Sequence, residues 1–217
     1  NQINSWTLVK SGWRQFYLTF REIKKLRVIF MFLLSYWFYI DGVDTVILMA
    51  VDYGMSIGLS FQSLILALLI TQFVGFPAAL IFGKIGEKLG AKTGILIGIG
   101  VYLGVTIWGA FIQQEREFYI LAVVVGLVQG GVQSLSRSFY AKIVPQSKSA
   151  EFFGFYNMLG KFAAIIGPIL IGWVSWLSKN PRYSILSIGL LFITGGVILH
   201  SVDEKEGEKI ALMNWNN

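Results

Sequence analysis

The 217-residue chain has no cysteine, one histidine and four prolines. Without cysteine there is no disulfide, no thiolate metal site and no cysteine nucleophile. Charge is scarce too: 14% of residues are charged, against roughly 25% in soluble domains. No phosphate-binding loop, nucleophile–base set or metal-ligand cluster occurs in it. An enzyme, a cofactor and a metal are therefore not expected. No cleavable signal peptide is visible at the start. The chain opens on Asn1, as a piece of a longer protein would.

What remains is oil. Hydrophobic residues make up 55% of the chain and the mean hydropathy is +0.64. They come in long runs, and about 20 apolar residues suffice to cross roughly 30 Å of hydrocarbon. The runs predict six spans, at 28–51, 61–82, 93–112, 118–136, 152–177 and 183–201. The expected fold is an all-α integral membrane bundle, with its main partner the lipid bilayer. Residues 1–27 form a leading connector and 202–217 a tail.

The net charge of +6 would suit nucleic acid, but its placement does not. Lys10, Arg14, Arg21, Lys24, Lys25 and Arg27 precede the first run; Lys84, Lys88 and Lys92 follow the second. Arg137, Lys142 and Lys148 follow the fourth, and Lys205 and Lys209 lie in the tail. Only Arg116, Lys179 and Arg182 fall on the other connectors. Cytoplasmic loops collect Lys and Arg, so both ends are expected in the cytoplasm. Residues 9–27 read as an amphipathic helix lying in the membrane interface or packed on the bundle's cytoplasmic face. The tail reads as solvated and poorly ordered.

The third and sixth spans carry no charge, whereas the first, fourth and fifth carry polar groups. This pattern predicts two three-helix repeats, with the last helix of each turned to lipid. Asp41 and Asp44 share a face of the first span. Two such carboxylates repel in low dielectric, so one is expected to hold a proton, the chemistry of proton coupling. The structural alternative is that one of them caps a broken helix or pairs with a lysine. Gln129, Gln133 and Arg137 form one stripe of the fourth span. The amides suit a polar solute or serve as interhelical glue, and Arg137 suits a gating ion pair. Gly126 and Gly130 have the spacing that lets helices approach closely, and Gly42 does the same in the first span.

In the fifth span, "GFYNMLGKFAAIIGP" places Lys161 among apolar residues, where a charge costs about 3 kcal/mol. Gly154, Asn157, Lys161 and Pro168 share a face, and Gly167–Pro168 is expected to bend the helix. Lys161 lies about 13 Å into its span and Asp41 about 20 Å into its own, so Asp41 is the expected partner of the lysine.

The connector "GKIGEKLGAK" resembles the cytoplasmic signature of the major facilitator superfamily, through Gly83, Glu87, Lys88, Gly90 and Lys92. Glu87 stands for the usual Asp, and Ala91 where a basic residue is usual. Together with "YIDGVDTV", the stretch "GGVQSLSRSFYAKIVPQSKSAEFFGFYNMLGKFAAIIGP" resembles the vacuolar-effluxer-like branch, which includes autophagy-linked amino-acid exporters and bacterial relatives. The resemblance implies the C-terminal six helices of a twelve-helix transporter. Its partners would be a missing N-terminal half and a small-molecule substrate, with no nucleic acid. It also implies a cytoplasmic gate in which Glu87 meets the start of the fifth span and Arg137, with Glu151 competing for the arginine.

The expected function is export of a small polar solute, amino acids by resemblance, through alternating access across a bacterial inner membrane. Asp41, Asp44, Gln129, Gln133, Asn157 and Lys161 would line the site, and Gly83, Glu87, Lys88, Gly90, Arg137 and Glu151 the gate. A non-transporting receptor or scaffold would keep the same charges as structural pairs. A channel would need a polar lining that the first three runs lack beyond Asp41, Asp44 and Gln72.

Overall fold

A computed structural model describes residues 5–212, except the side chains of residues 5–11, 13, 85 and 87. The elements are α1 (Ser5–Lys25), α2 (Arg27–Ser56), α3 (Phe61–Leu89), α4 (Ala91–Phe111), α5 (Glu115–Ile143), α6 (Ser149–Lys161), α7 (Ile166–Ser178), α8 (Pro181–His200) and α9 (Glu204–Leu212). Among the described residues, six stretches are long and apolar enough to cross a membrane, the fifth being α6 and α7 together. The all-helical bundle fits half of a major facilitator fold.

Local chemistry sets the helix ends. Ser60 caps α3 by accepting from the Ser63 backbone N–H at 3.3 Å. Glu117 Oε2 accepts from the backbone of Gln113 and Gln114, closing a capping box on α5. Pro181 begins α8 at the position where its missing N–H costs nothing. The signature-like connector is not a loop. α3 runs through it to Leu89, and Gly90 alone separates α3 from α4 at φ +84°, a conformation other residues rarely adopt.

α3 packs chiefly on α5, α2 on α8, and α4 lies between α5 and α8, while α7 reaches α8 and α2. The middle helix of the first group thus leans on the first helix of the second, whereas α7 leans chiefly on α8 of its own group and only lightly on α2. α4 and α8 are about half buried, and the most open elements are α3 and the α6–α7 pair. Freedom from charge marks α4 and α8 as compatible with lipid; it did not mark them as the outermost helices.

The α3–α5 seam has no side-chain layer at its closest points. A Cβ on Gly126 would lie 2.7 Å from the Thr71 carbonyl oxygen, and one on Gly130 2.9 Å from that of Gly75. Thr71 Oγ1 also bonds across to the Ala122 carbonyl at 3.1 Å. Gly42 likewise makes room for the Phe192 ring.

Two charged ends are ordered by the bundle. Lys92 Nζ donates to the carbonyls of His200 at 2.9 Å and Val202 at 2.6 Å, so the start of α4 closes the end of α8. A cation on helix-terminal carbonyls satisfies orphan acceptors and opposes the dipole. Lys92→Ala is expected to lower stability by about 1–2 kcal/mol and Lys92→Arg by less, read as thermal midpoints in detergent. The expected disordered tail is corrected over its first part. α9 buries Gly207 and Ile210, Gly207 packing on Ile143 and Val28, with Lys142 and Glu204 3.8 Å apart at its edge. Two small or apolar residues three apart give that short helix a docking face.

Candidate functional site at the broken fifth span

α6 ends at Lys161 and α7 starts at Ile166, with Ala164 between them at φ +65°. The span is broken, not bent, and the break precedes Gly167–Pro168. Asp41, fully buried on α2, fills the gap. Its Oδ2 accepts from the Ile166 N–H and its Oδ1 from the Gly167 N–H, both at 2.9 Å, and Thr45 Oγ1 donates to Oδ1 at 3.2 Å.

This accounts for the first turn of α7. Ile166 and Gly167 are capped by Asp41, Pro168 has no N–H to satisfy, and Ile169 bonds back to the Ile165 carbonyl at 3.4 Å. A helix N-terminus carries partial positive charge, and a carboxylate is its natural complement. Gly167 is needed because a Cβ there would run into the Thr45 side chain.

The expected Asp41–Lys161 ion pair is absent. Lys161 is exposed at the last position of α6, with no hydrogen bond or salt bridge from its ammonium among the described residues. It stands at the carbonyl end of a helix, where a cation is favoured. The lysine of the broken span and the aspartate of α2 therefore serve the two ends of the break, not each other. Asp41 takes the structural alternative left open by its sequence.

Asp44 is half-buried one turn along α2, and its carboxylate makes no hydrogen bond among the described residues. The Tyr102 hydroxyl is buried, with no hydrogen-bond partner among the described residues. Gln129 is half-buried; Gln133, Arg137, Asn157 and Lys161 are exposed. Arg137 Nη2 donates to Asn157 Oδ1 at 3.3 Å, joining the stripe of α5 to the polar face of α6. Gln133 lies one helical turn before Arg137 on α5, and Lys161 one turn after Asn157 on α6. Four polar side chains thus share an open face within the span.

The gate is arranged differently from expectation. Glu151 accepts from Gln15 Nε2 on α1 at 3.4 Å, and Arg137 bonds Asn157, so Glu151 does not compete for the arginine. The side chain of Glu87 lies outside the described residues. Lys88 is exposed, and Gly83 is half-buried with open space at its Cβ. No group of His, Asp and Glu able to hold a metal occurs among the described residues.

Sequence reasoning missed an aromatic stack beneath the open face. Tyr36 lies on Tyr156 at 4.3 Å between centroids, and Tyr156 on Tyr140 at 4.9 Å, joining α2, α6 and α5. Ser136 gives its proton to the Val132 carbonyl, so Tyr39 donates to Ser136 across 2.7 Å. Thr45 was also missed, although a hydroxyl four residues after Asp41 on a helix was a usable signal.

The family described as "vacuole effluxer Atg22 like" matches residues 1–212. The chain is 40% identical over 204 residues to the MFS-type transporter YxiO of Bacillus subtilis, covering 94% of this chain and 48% of the relative. It is 26% identical to autophagy-related protein 22 of Vanderwaltozyma polyspora, over 94% of this chain and 41% of that protein. The Saccharomyces cerevisiae protein of that name is 25% identical, over 97% and 42%. The chain spans about half the length of these curated relatives. The names are those of transporters and effluxers, not enzymes. The chain belongs to the Atg22-like vacuole effluxer family within the MFS-type transporters.

Proposed function

We propose that this chain is one six-helix half of a secondary transporter that exports small polar solutes, amino acids foremost, by alternating access. The open polar face of Gln133, Arg137, Asn157 and Lys161 carries the reading. Polar side chains inside a span are tolerated where they line a cavity, and here they stand beside a discontinuous helix. A second six-helix half, supplied by the rest of a longer chain, would close the cavity. The ends would face the cytoplasm of a bacterial cell, in keeping with the basic connectors and the Bacillus relative.

Within this reading Gln129 and Lys161 contact solute, Lys161 through a carboxylate. Asp44, unbonded beside the capped Asp41, is the group for proton coupling. Gly83, Glu87, Lys88, Gly90 and Arg137 belong to the cytoplasmic gate.

Lys161 separates transport from folding because it is exposed and unpaired. Lys161→Gln in the complete transporter is expected to lower amino-acid flux into proteoliposomes at least about tenfold, equivalent to about 1.4 kcal/mol, with little change in thermal midpoint. Unchanged flux, or a flux loss that follows lost stability, would contradict the assignment. Repeating the assay with and without a pH gradient, and with Asp44→Asn, tests proton coupling separately.

A further inference from the structure

The connection from α1 into α2 folds a second feature that solute transport does not use. α1 docks on α6 through Phe16 and Phe20, which stack on Phe155 at 5.2 and 6.0 Å. Glu22 is held by Lys148 Nζ at 2.7 Å. Between α1, α2 and α6 is a cavity of about 260 Å3, whose lining includes Phe20, Ile23, Phe30, Leu34, Trp37 and Phe155. Trp37 Nε1 is the one polar side-chain atom of that lining, and it is buried with no acceptor among the described residues.

The helical registers of its walls end in cations. On α1, Lys24 follows Phe20 by four residues; on α2, Arg27, Phe30, Leu34 and Trp37 fall on one stripe by spacings of three, four and three. Lys24 and Arg27 are both exposed, with Arg21 and Lys25 beside them. The nearby acid of α1, Glu22, is already committed to Lys148. From Arg27 to Trp37 is about 15 Å along the helix, half the roughly 30 Å of bilayer hydrocarbon, or one leaflet's share.

We propose that this cavity binds an anionic glycerophospholipid. One acyl chain lies along Phe30, Leu34 and Trp37, and the phosphate is held at Lys24 and Arg27. The apolar lining fits a chain, and the two exposed cations that continue the lining stripes of α1 and α2 select an acidic headgroup over a zwitterionic one. Because α1 and α6 both form its walls, the lipid ties the leading helix to the first part of the broken span.

The protein in nanodiscs, with Trp37 kept and Trp6, Trp13, Trp108, Trp173, Trp176 and Trp215 changed to Phe, tests this directly. Phosphatidylglycerol with brominated acyl chains is compared with equally brominated phosphatidylcholine at the same mole fraction. Phosphatidylglycerol is expected to quench Trp37 with about tenfold higher affinity, and Lys24→Gln with Arg27→Gln to abolish the difference. Equal quenching by the two lipids overturns the proposal. So does an absence of quenching, as when another protein segment fills the groove. If the single-tryptophan protein does not fold, the thermal midpoint of the unmodified protein decides. Phosphatidylglycerol is expected to raise it above its value in phosphatidylcholine, and to do so less in the double variant; equal midpoints overturn the proposal.

Discussion

Asp41→Ala is expected to destabilise the protein by about 3 kcal/mol, more than an ordinary helix cap contributes. A solvated cap is worth about 0.5–2 kcal/mol, because water replaces it when it is lost. Here the cap is buried, and its removal strands two N–H groups at 2.9 Å contacts, each costing about 1–3 kcal/mol. Thr45 would lose its acceptor as well. Asp41→Asn retains one carbonyl oxygen but turns an NH2 group toward a helix N-terminus, so an intermediate loss is expected. Thermal midpoints with amide exchange at Ile166 and Gly167 measure both effects. If alanine leaves the midpoint and the exchange unchanged while stopping transport, Asp41 acts in coupling and the cap is incidental.

Gly126→Leu is expected to cost about 3 kcal/mol and to part α3 from α5, at the upper end of overpacking penalties. The Cβ alone would sit 2.7 Å from the Thr71 carbonyl oxygen, and backbone cannot turn aside as a flexible side chain does. Displacing α3 there also breaks the Thr71–Ala122 bond, and with it the registry of Gly130 on Gly75. Gly104→Leu is the internal control. It lies on the open side of α4 with nothing within 4 Å of its Cβ, so a change within about 0.5 kcal/mol is expected. Similar losses at both positions would mean that leucine disturbs any helix of this bundle and that the seam is not special.

Six crossings, the amphipathic α1 and the glycine seam were legible because each is written in composition or spacing along one helix. The stripe of Gln129, Gln133 and Arg137 is a spacing along α5, of which only Gln133 and Arg137 are exposed. The break in the fifth span was not legible. Phe162, Ala163, Ala164 and Ile165 form an apolar stretch without glycine or proline, and Pro168 sits inside the next helix where it is harmless. What starts α7 is a carboxylate 125 residues earlier in the chain, bonded to Ile166. Reading the span as continuous then made an acid the natural answer to a lysine in oil. A helix terminus answers it equally well, and only the fold reveals that one is there. The tail failed for a related reason: Gly207 and Ile210 offer too little apolar surface to predict docking, until Ile143 and Val28 are known to face them.

The break also fixes where the membrane is electrically thick. α6 and α7 are each about 20 Å long, less than the roughly 30 Å of hydrocarbon. In the proposed transporter, water would reach the carbonyl end of α6, where Arg137, Asn157 and Lys161 are exposed. Such water would bring the bulk potential with it, so the voltage would fall along α7 and not along the whole span. Carrying a unit charge through the full field is worth about 2.3 kcal/mol per 100 mV. On the proposed function, a charged solute reaching Lys161 from the α6 side would have crossed little of that field. The voltage-sensitive step of the cycle is therefore expected to lie beyond the break, along α7.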